Sequence, residues 1–262
     1  MSLSPSLRAL RPLRLSSKPP HQRRTFFPNL VPPSISSNSE QVLTAQRLSL
    51  PHAPSQLFAL IADIDSYSRF LPYCKVSRVT AWTPPSSSSS SHDLSKTWPT
   101  RADLTAGWGA LEQTYTSRVF CVPGYTGSGH SSTDPAGGGI VEAISGTART
   151  QIPSSVLAQH GLRDPGPEQP DPSSAAAVFE SLVTRWTVSP SRTPPPTSTP
   201  TTATLTNSTT TGFDGSDVHL SLKFRFANPL YGALSSALAD KVAPLMIEAF
   251  VERARRVLGN GS

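Results

Sequence analysis

Hydrophobic and polar positions divide the chain into short alternating runs followed by one long helical stripe. The clearest run is 217–226, where Val218, Leu220, Leu222, Phe224 and Phe226 alternate with His219, Ser221, Lys223 and Arg225. A period of two puts one set on each side of a strand. One face is then apolar and the other wet, which suits an antiparallel sheet covered on one side. Less regular runs predict strands over 41–50, 75–82, 101–108, 110–122, 140–146 and 179–188. Pro54 can open a helix at its first turn, and Leu57, Phe58, Leu60 and Ile61 give that helix an apolar side. A second short helix is expected over 66–71, halted by Pro72. After Asn228 and Pro229, the residues Leu234, Leu238, Val242, Leu245, Ala249 and Phe250 recur at spacings of three and four, predicting a helix over 230–258. Pro244 conflicts with that pattern, because an interior proline costs on the order of 3 kcal/mol and kinks the axis. Either the helix bends there or a second segment starts.

This order of elements predicts an α+β fold in which a curved antiparallel sheet wraps around a long C-terminal helix. Such an arrangement leaves a concave, mostly apolar space between sheet and helix, suited to a hydrophobic ligand. Strand phase puts Leu182, Trp186, Leu220, Leu222 and Phe224 on the inner face, where they serve as cavity wall or plain core. Trp108 and Tyr115 are candidates of the same kind on earlier strands. On the helix, Leu238, Val242, Leu245, Met246 and Phe250 form the stripe that faces the sheet, and the flexible Met246 can adapt its shape to a hydrophobic ligand. Phe70, Leu71, Pro72 and Tyr73 form an apolar turn, read either as a membrane-touching lip or as a turn packed on the sheet.

Composition changes the picture in two places. The chain carries 23 Lys+Arg against 17 Asp+Glu, a formal charge of +6. The whole surplus lies within residues 1–39, in Arg8, Arg11, Arg14, Lys18, Arg23 and Arg24, with no acid before Glu40. An Arg- and Ser-rich, acid-free segment is the composition of a mitochondrial transit peptide, so 1–39 is expected to be a leader and 40–259 the working domain. With that domain electrically balanced, no nucleic-acid partner is expected. The segments 83–97, 123–139, 148–177 and 190–212 are rich in Ser, Gly, Pro or Thr and are expected as solvated insertions.

Candidate chemistry is sparse. Cys74 and Cys121 have no His or acid at nucleophile or metal spacing, so they are expected to be structural thiols. His219 faces outward by strand phase, and Asp63 and Asp65 flank the short helices. Arg69, Lys75 and Arg185 are candidate headgroup partners or ordinary surface charges. Phosphate-loop, dinucleotide-fingerprint and HExxH patterns do not occur, no metal site is expected, and no run of apolar residues is long enough to span a membrane.

Asp63, Tyr67, Phe70, Pro72 and Cys74 stand in the spacing D-x-x-x-Y-x-x-F-x-P-x-C. That segment resembles one of the mitochondrial coenzyme Q-binding proteins, members of the START-like polyketide cyclase/dehydrase superfamily. The stretches 182–186, 224–231 and 246–254, and residues 24–27, are similar to the same family, and the resemblance covers 24–82, 98–122, 140–147 and 178–258. It implies a helix-grip START-like fold that holds ubiquinone or a polyprenylated precursor, with no catalytic cofactor. The implied role is that of a lipid chaperone for respiration and ubiquinone biosynthesis. It further implies peripheral contact with the matrix face of the mitochondrial inner membrane, and quinone-biosynthesis enzymes as further partners. Two rivals stand beside this non-enzymatic reading. One is a cyclase or aromatase acting on a polyketide-like substrate, which requires acids and bases in the cavity. The other is a scaffold for quinone-pathway enzymes.

Overall fold

The computed structural model describes residues 40–84, 97–108, 111–127, 138–167, 179–191, 215–227 and 230–259, with Trp108, Leu111 and 230–240 described by their backbone alone. They fall in one compact unit, 37–262. The expected leader 1–39, and most or all of each insertion except 148–177, lie outside the described residues.

The elements are strand β1 (Gln41–Leu50), helix α1 (Pro54–Ala62), a 3-10 turn (Ile64–Arg69), β2 (Cys74–Trp82), β3 (Pro99–Trp108), β4 (Leu111–Pro123), β5 (Gly139–Gly146), α2 (Ser154–Gln159), β6 (Phe179–Pro190), β7 (Ser216–Phe226) and α3 (Leu230–Leu258). The strands form one seven-stranded sheet in the order β1-β7-β6-β5-β4-β3-β2. Every neighbouring pair is antiparallel. The first strand lies beside the last, with Leu43 opposite Leu222 and Ala45 opposite Leu220.

The helices α1 and α3 pack on the concave side, as the α+β helix-grip expectation requires. Leu57, Phe58 and Ile61 of α1 join Ile247, Phe250, Val251 and Ala254 of α3 in one core with Val188, Val218 and Leu220 of the sheet. Burying each large apolar side chain in that core contributes about 2 kcal/mol. The Trp186 and Phe250 rings meet at 5.3 Å, fixing the C-terminal half of α3 against β6.

Two expectations need correction, and one open alternative is decided. The second short helix is a 3-10 turn, held by the Tyr67 hydroxyl donating to the Ile61 carbonyl at 2.5 Å and by Ser66 Oγ donating to the Asp63 carbonyl at 2.9 Å. Within that turn Asp65 does more than flank: its Oδ1 accepts the Val79 amide at 2.6 Å, on the edge strand β2. Of the two alternatives at Pro244, the second segment falls: α3 runs unbroken from Leu230 to Leu258, the bounds that the apolar stripe predicts. The proline is exposed, so water can serve the carbonyl one turn earlier that lost its donor. The described part of 148–177 is packed rather than solvated. Ile152, Leu157 and Leu162 form a second core with Phe120, Val122, Ile140 and Ile144 on the convex side of the sheet. Arg118 clamps this layer by pairing with Asp164 and donating to the Ala148 carbonyl at 2.5 Å.

Candidate ligand cavity

Between the sheet and the part of α3 that carries Val242 and Met246, a cavity of about 270 Å³ opens. Its wall combines the inner positions of β3 to β7 with Val242 and Met246 of α3 and the turn Leu71–Cys74. Period two explains the wall: Leu182, Thr184 and Trp186 of β6, and Leu222, Phe224 and Phe226 of β7, all point the same way. One end of the lining is deep, with Trp186 and Val141 each 3 % exposed. The other end is a rim, where Tyr73 is 37 % exposed and the side chains of Lys75 and Glu112 form a half-exposed ion pair.

Of the residues singled out from sequence, Leu71, Tyr115, Leu182, Trp186, Leu222, Phe224, Val242 and Met246 line the cavity. The Trp108 side chain and the side chain of Leu238 lie outside the described residues. Four others are not on the wall. Leu220 and Phe250 are core, because the C-terminal half of α3 fills the concavity at their level. Phe70 turns away to pack edge-on against Tyr67, at 5.7 Å between ring centroids, with the Arg253 guanidinium 5.9 Å over its own ring. Leu245 is 44 % exposed. The buried positions of α3 are Ala243, Ile247, Phe250, Val251 and Ala254, and Leu245 sits roughly 180° around the helix from their mean at about 100° per residue.

Sequence reasoning missed Phe179, Thr184, Val141 and Ala143 on the wall. Thr184 was in phase with Leu182 and Trp186, so period two marked it as inward-facing, but its polarity hid it. Phe179 forms an aromatic cluster with Phe224, at 5.8 Å, and Phe226, at 5.2 Å. At the rim, Tyr73 adopts a left-handed backbone with φ of 65°, held by the Gly107 amide donating to its carbonyl at 2.9 Å. For a non-glycine residue that conformation costs on the order of 1 kcal/mol, which the pairing to β3 offsets.

The electrostatics of the wall are those of a neutral solvent. Burial pushes the Tyr115 phenol up, with Cys74 adding to the effect. Burial pushes the Cys74 thiol up to about 11. The Tyr67 phenol is raised too, by burial first and then by Cys121, Asp63 and Cys74. All three keep their protons at neutral pH. Among the described lining residues the one acid is Glu112, tied to Lys75 at the rim, and none is a His, Lys or Arg. The candidate headgroup cations therefore stand elsewhere: Lys75 serves that rim pair, Arg69 is exposed, and Arg185 lies on the convex face against Glu142.

Residues 50–127 match the family model for polyketide cyclase / dehydrase and lipid transport. The mitochondrial coenzyme Q-binding protein of Schizosaccharomyces pombe is 26% identical over 211 residues, covering 80% of this chain and 85% of that protein. The chain is similar to the mitochondrial coenzyme Q-binding proteins. The corresponding protein of Eremothecium gossypii is 24% identical over 197 residues, covering 75% of this chain and 64% of the relative. A START superfamily protein from Mycobacterium smegmatis aligns over 83% of this chain and 98% of its own, at 11% identity and a TM-score of 0.44. The family-model match spans α1, the 3-10 turn and β2 to β4, and so contains the Asp63–Cys74 segment and the rim of the cavity.

Proposed function

We propose that the chain binds ubiquinone or a polyprenylated precursor in this cavity and holds it without transforming it. The observation that carries this reading is a cavity with apolar walls, neutral phenols and one rim carboxylate already paired. Hydrophobic burial supplies affinity at roughly 0.8 kcal/mol per CH₂ removed from water, so a prenylated quinone gains most from its tail. Cyclisation or aromatisation instead requires a positioned acid and base at the substrate, and the described wall offers no such pair. The relatives' names, which specify coenzyme Q binding and mitochondria, support the ligand and the compartment. The Arg-rich segment 1–39 fits delivery to the matrix, and the rim turn Leu71–Tyr73 gives an apolar lip toward the inner membrane. In that setting the chain acts as a lipid chaperone, serving the respiratory chain and ubiquinone biosynthesis.

The test is to purify the full chain, extract it with organic solvent, and identify retained lipid by mass spectrometry, alongside calorimetric titration with decylubiquinone. The expected result is a retained prenylquinone and saturable binding of decylubiquinone. Absence of both overturns the reading. Conversion of the bound compound to a product of different mass supports the enzyme instead.

A further inference from the structure

The polar groups of the cavity wall differ in what they have left to give. The Tyr67 hydroxyl is committed to the Ile61 carbonyl at 2.5 Å, and Ser117 Oγ to Ser145 Oγ at 2.8 Å. The Cys74 thiol donates weakly to the Val76 carbonyl at 3.5 Å. Tyr115 and Thr184 also line the cavity, and neither hydroxyl has a hydrogen-bond partner among the described residues. Both residues are half-buried, whereas the wall's fully buried unpartnered donor is Trp186 Nε1 at the deep end. Uncommitted donors on an apolar wall point to a ligand that accepts.

Their surroundings separate them. Thr184 lies between Leu182 and Trp186 along its strand, and between Ala143 and Leu222 across the sheet, walls fit for hydrocarbon. Tyr115 lies opposite Leu104 on β3, at the end where Tyr73, Glu112 and Gln113 supply a polar rim. Cys74 pairs with Ala106, two positions along β3 from Leu104, so Tyr115 and the turn Leu71–Cys74 share this part of the lining. A phenol is also a stronger donor than an aliphatic hydroxyl, and a quinone offers only acceptors.

We infer that the Tyr115 hydroxyl is the hydrogen-bond donor that seats a ring oxygen of the quinone, placing the ring at the Leu71–Cys74 end of the cavity. Tyr115 is thus the specificity-determining residue, separating oxygenated rings from plain hydrocarbon of the same length. The inference rests on the proposed quinone-binding function.

The experiment titrates the full chain with decylubiquinone and with decylbenzene, which lacks ring oxygens, in the wild type and in Tyr115→Phe and Thr184→Val. Tyr115→Phe keeps the ring and removes one donor, so decylubiquinone should bind about fivefold more weakly while decylbenzene is unchanged. The carbonyl stretch of bound decylubiquinone, lowered in the wild type by the hydrogen bond, should move back up in Tyr115→Phe. Thr184→Val should move the two ligands alike and leave the carbonyl stretch in place. Equal loss for both ligands in Tyr115→Phe overturns the inference, because the phenol is then mere packing. So does undiminished quinone binding, or a loss confined to Thr184→Val. If the wild type binds no decylubiquinone, the proposed function itself falls, an outcome distinct from all of these.

Discussion

Successive residues of β6 live in different surroundings. Leu182, Thr184 and Trp186 look into the cavity, while Val183, Arg185 and Thr187 look into a polar groove on the convex face. The same division runs through β7, where His219, Ser221, Lys223 and Arg225 share that groove. The convex face keeps charge even where water is excluded. Glu142 is fully buried there, and its carboxylate accepts from Arg185 Nη2 at 2.8 Å and from Thr150 Oγ1 at 3.1 Å. Among the described residues, the cavity wall on the concave face carries no charge below its rim. The contrast shows a division of labour within single strands. One side anchors the sheet through ion pairs and the α2 layer, leaving the other free to stay apolar and incompletely filled.

If the faces are independent, the largest effect follows from breaking the convex pair. Arg185→Met leaves the Glu142 carboxylate buried without its cation, and removing one partner of a buried pair costs about 3 kcal/mol or more. Urea denaturation should report that loss, while decylubiquinone affinity, measured where the variant is still folded, stays unchanged. A stability loss below about 1 kcal/mol would show that relaxation and water rescue the carboxylate. Weakened quinone binding in a variant of normal stability would show that the two faces are coupled.

The concave face is tested by filling it. Ala143 is a half-buried wall residue of β5, and Ala143→Phe puts a ring where the ligand is proposed to lie. Decylubiquinone affinity should fall at least about tenfold while stability moves by no more than about 1 kcal/mol, since overpacking is costly only where space is lacking. A loss of stability as large as that of Arg185→Met would mean that this wall is packed core.

That last distinction also marks how far the sequence could be read. The alternation in 217–226 made β7 legible because its outer face is wet, and the α3 stripe was legible because its outer face is charged. The convex layer was not, since Ile152, Leu157 and Leu162 are spaced by five residues and carry neither a helix nor a strand period. Leu220 and Leu222 show a deeper limit. They are identical, buried residues on the same face of the same strand, yet Leu222 lines the cavity and Leu220 does not. Core and cavity ask the same of a side chain, so what separates them is where α3 touches the sheet. Leu245 failed for the opposite reason. A spacing of three from Val242 satisfied the periodic pattern, but only its phase relative to Ile247 and Val251 decided its exposure. The Asp63–Cys74 segment was the most informative, since its residues make the turn that builds the rim.

The smallest expected effect compares the two layers by titration. His52, 6 % exposed after β1, lies on the helix side, where burial first and Arg255 of α3 second hold its pKa below the ordinary 6.5. His160, half-buried after α2 on the convex side, is lowered by burial. Both are depressed bases, so the unfolded chain binds more protons in the window below 6.5. The stabilising contribution is complete above that value and is lost as pH falls toward the folded pKa of each ring. The thermal midpoint should therefore drop between about pH 7.5 and about pH 5.5, and either histidine replaced by asparagine should flatten the drop. His52→Asn should flatten it more, because His52 is the more deeply buried of the two rings. Arg255→Gln should recover part of the same flattening with the histidine in place. If His160→Asn has the larger effect, the convex layer opens first in acid, and the anchoring role assigned to that face is reversed.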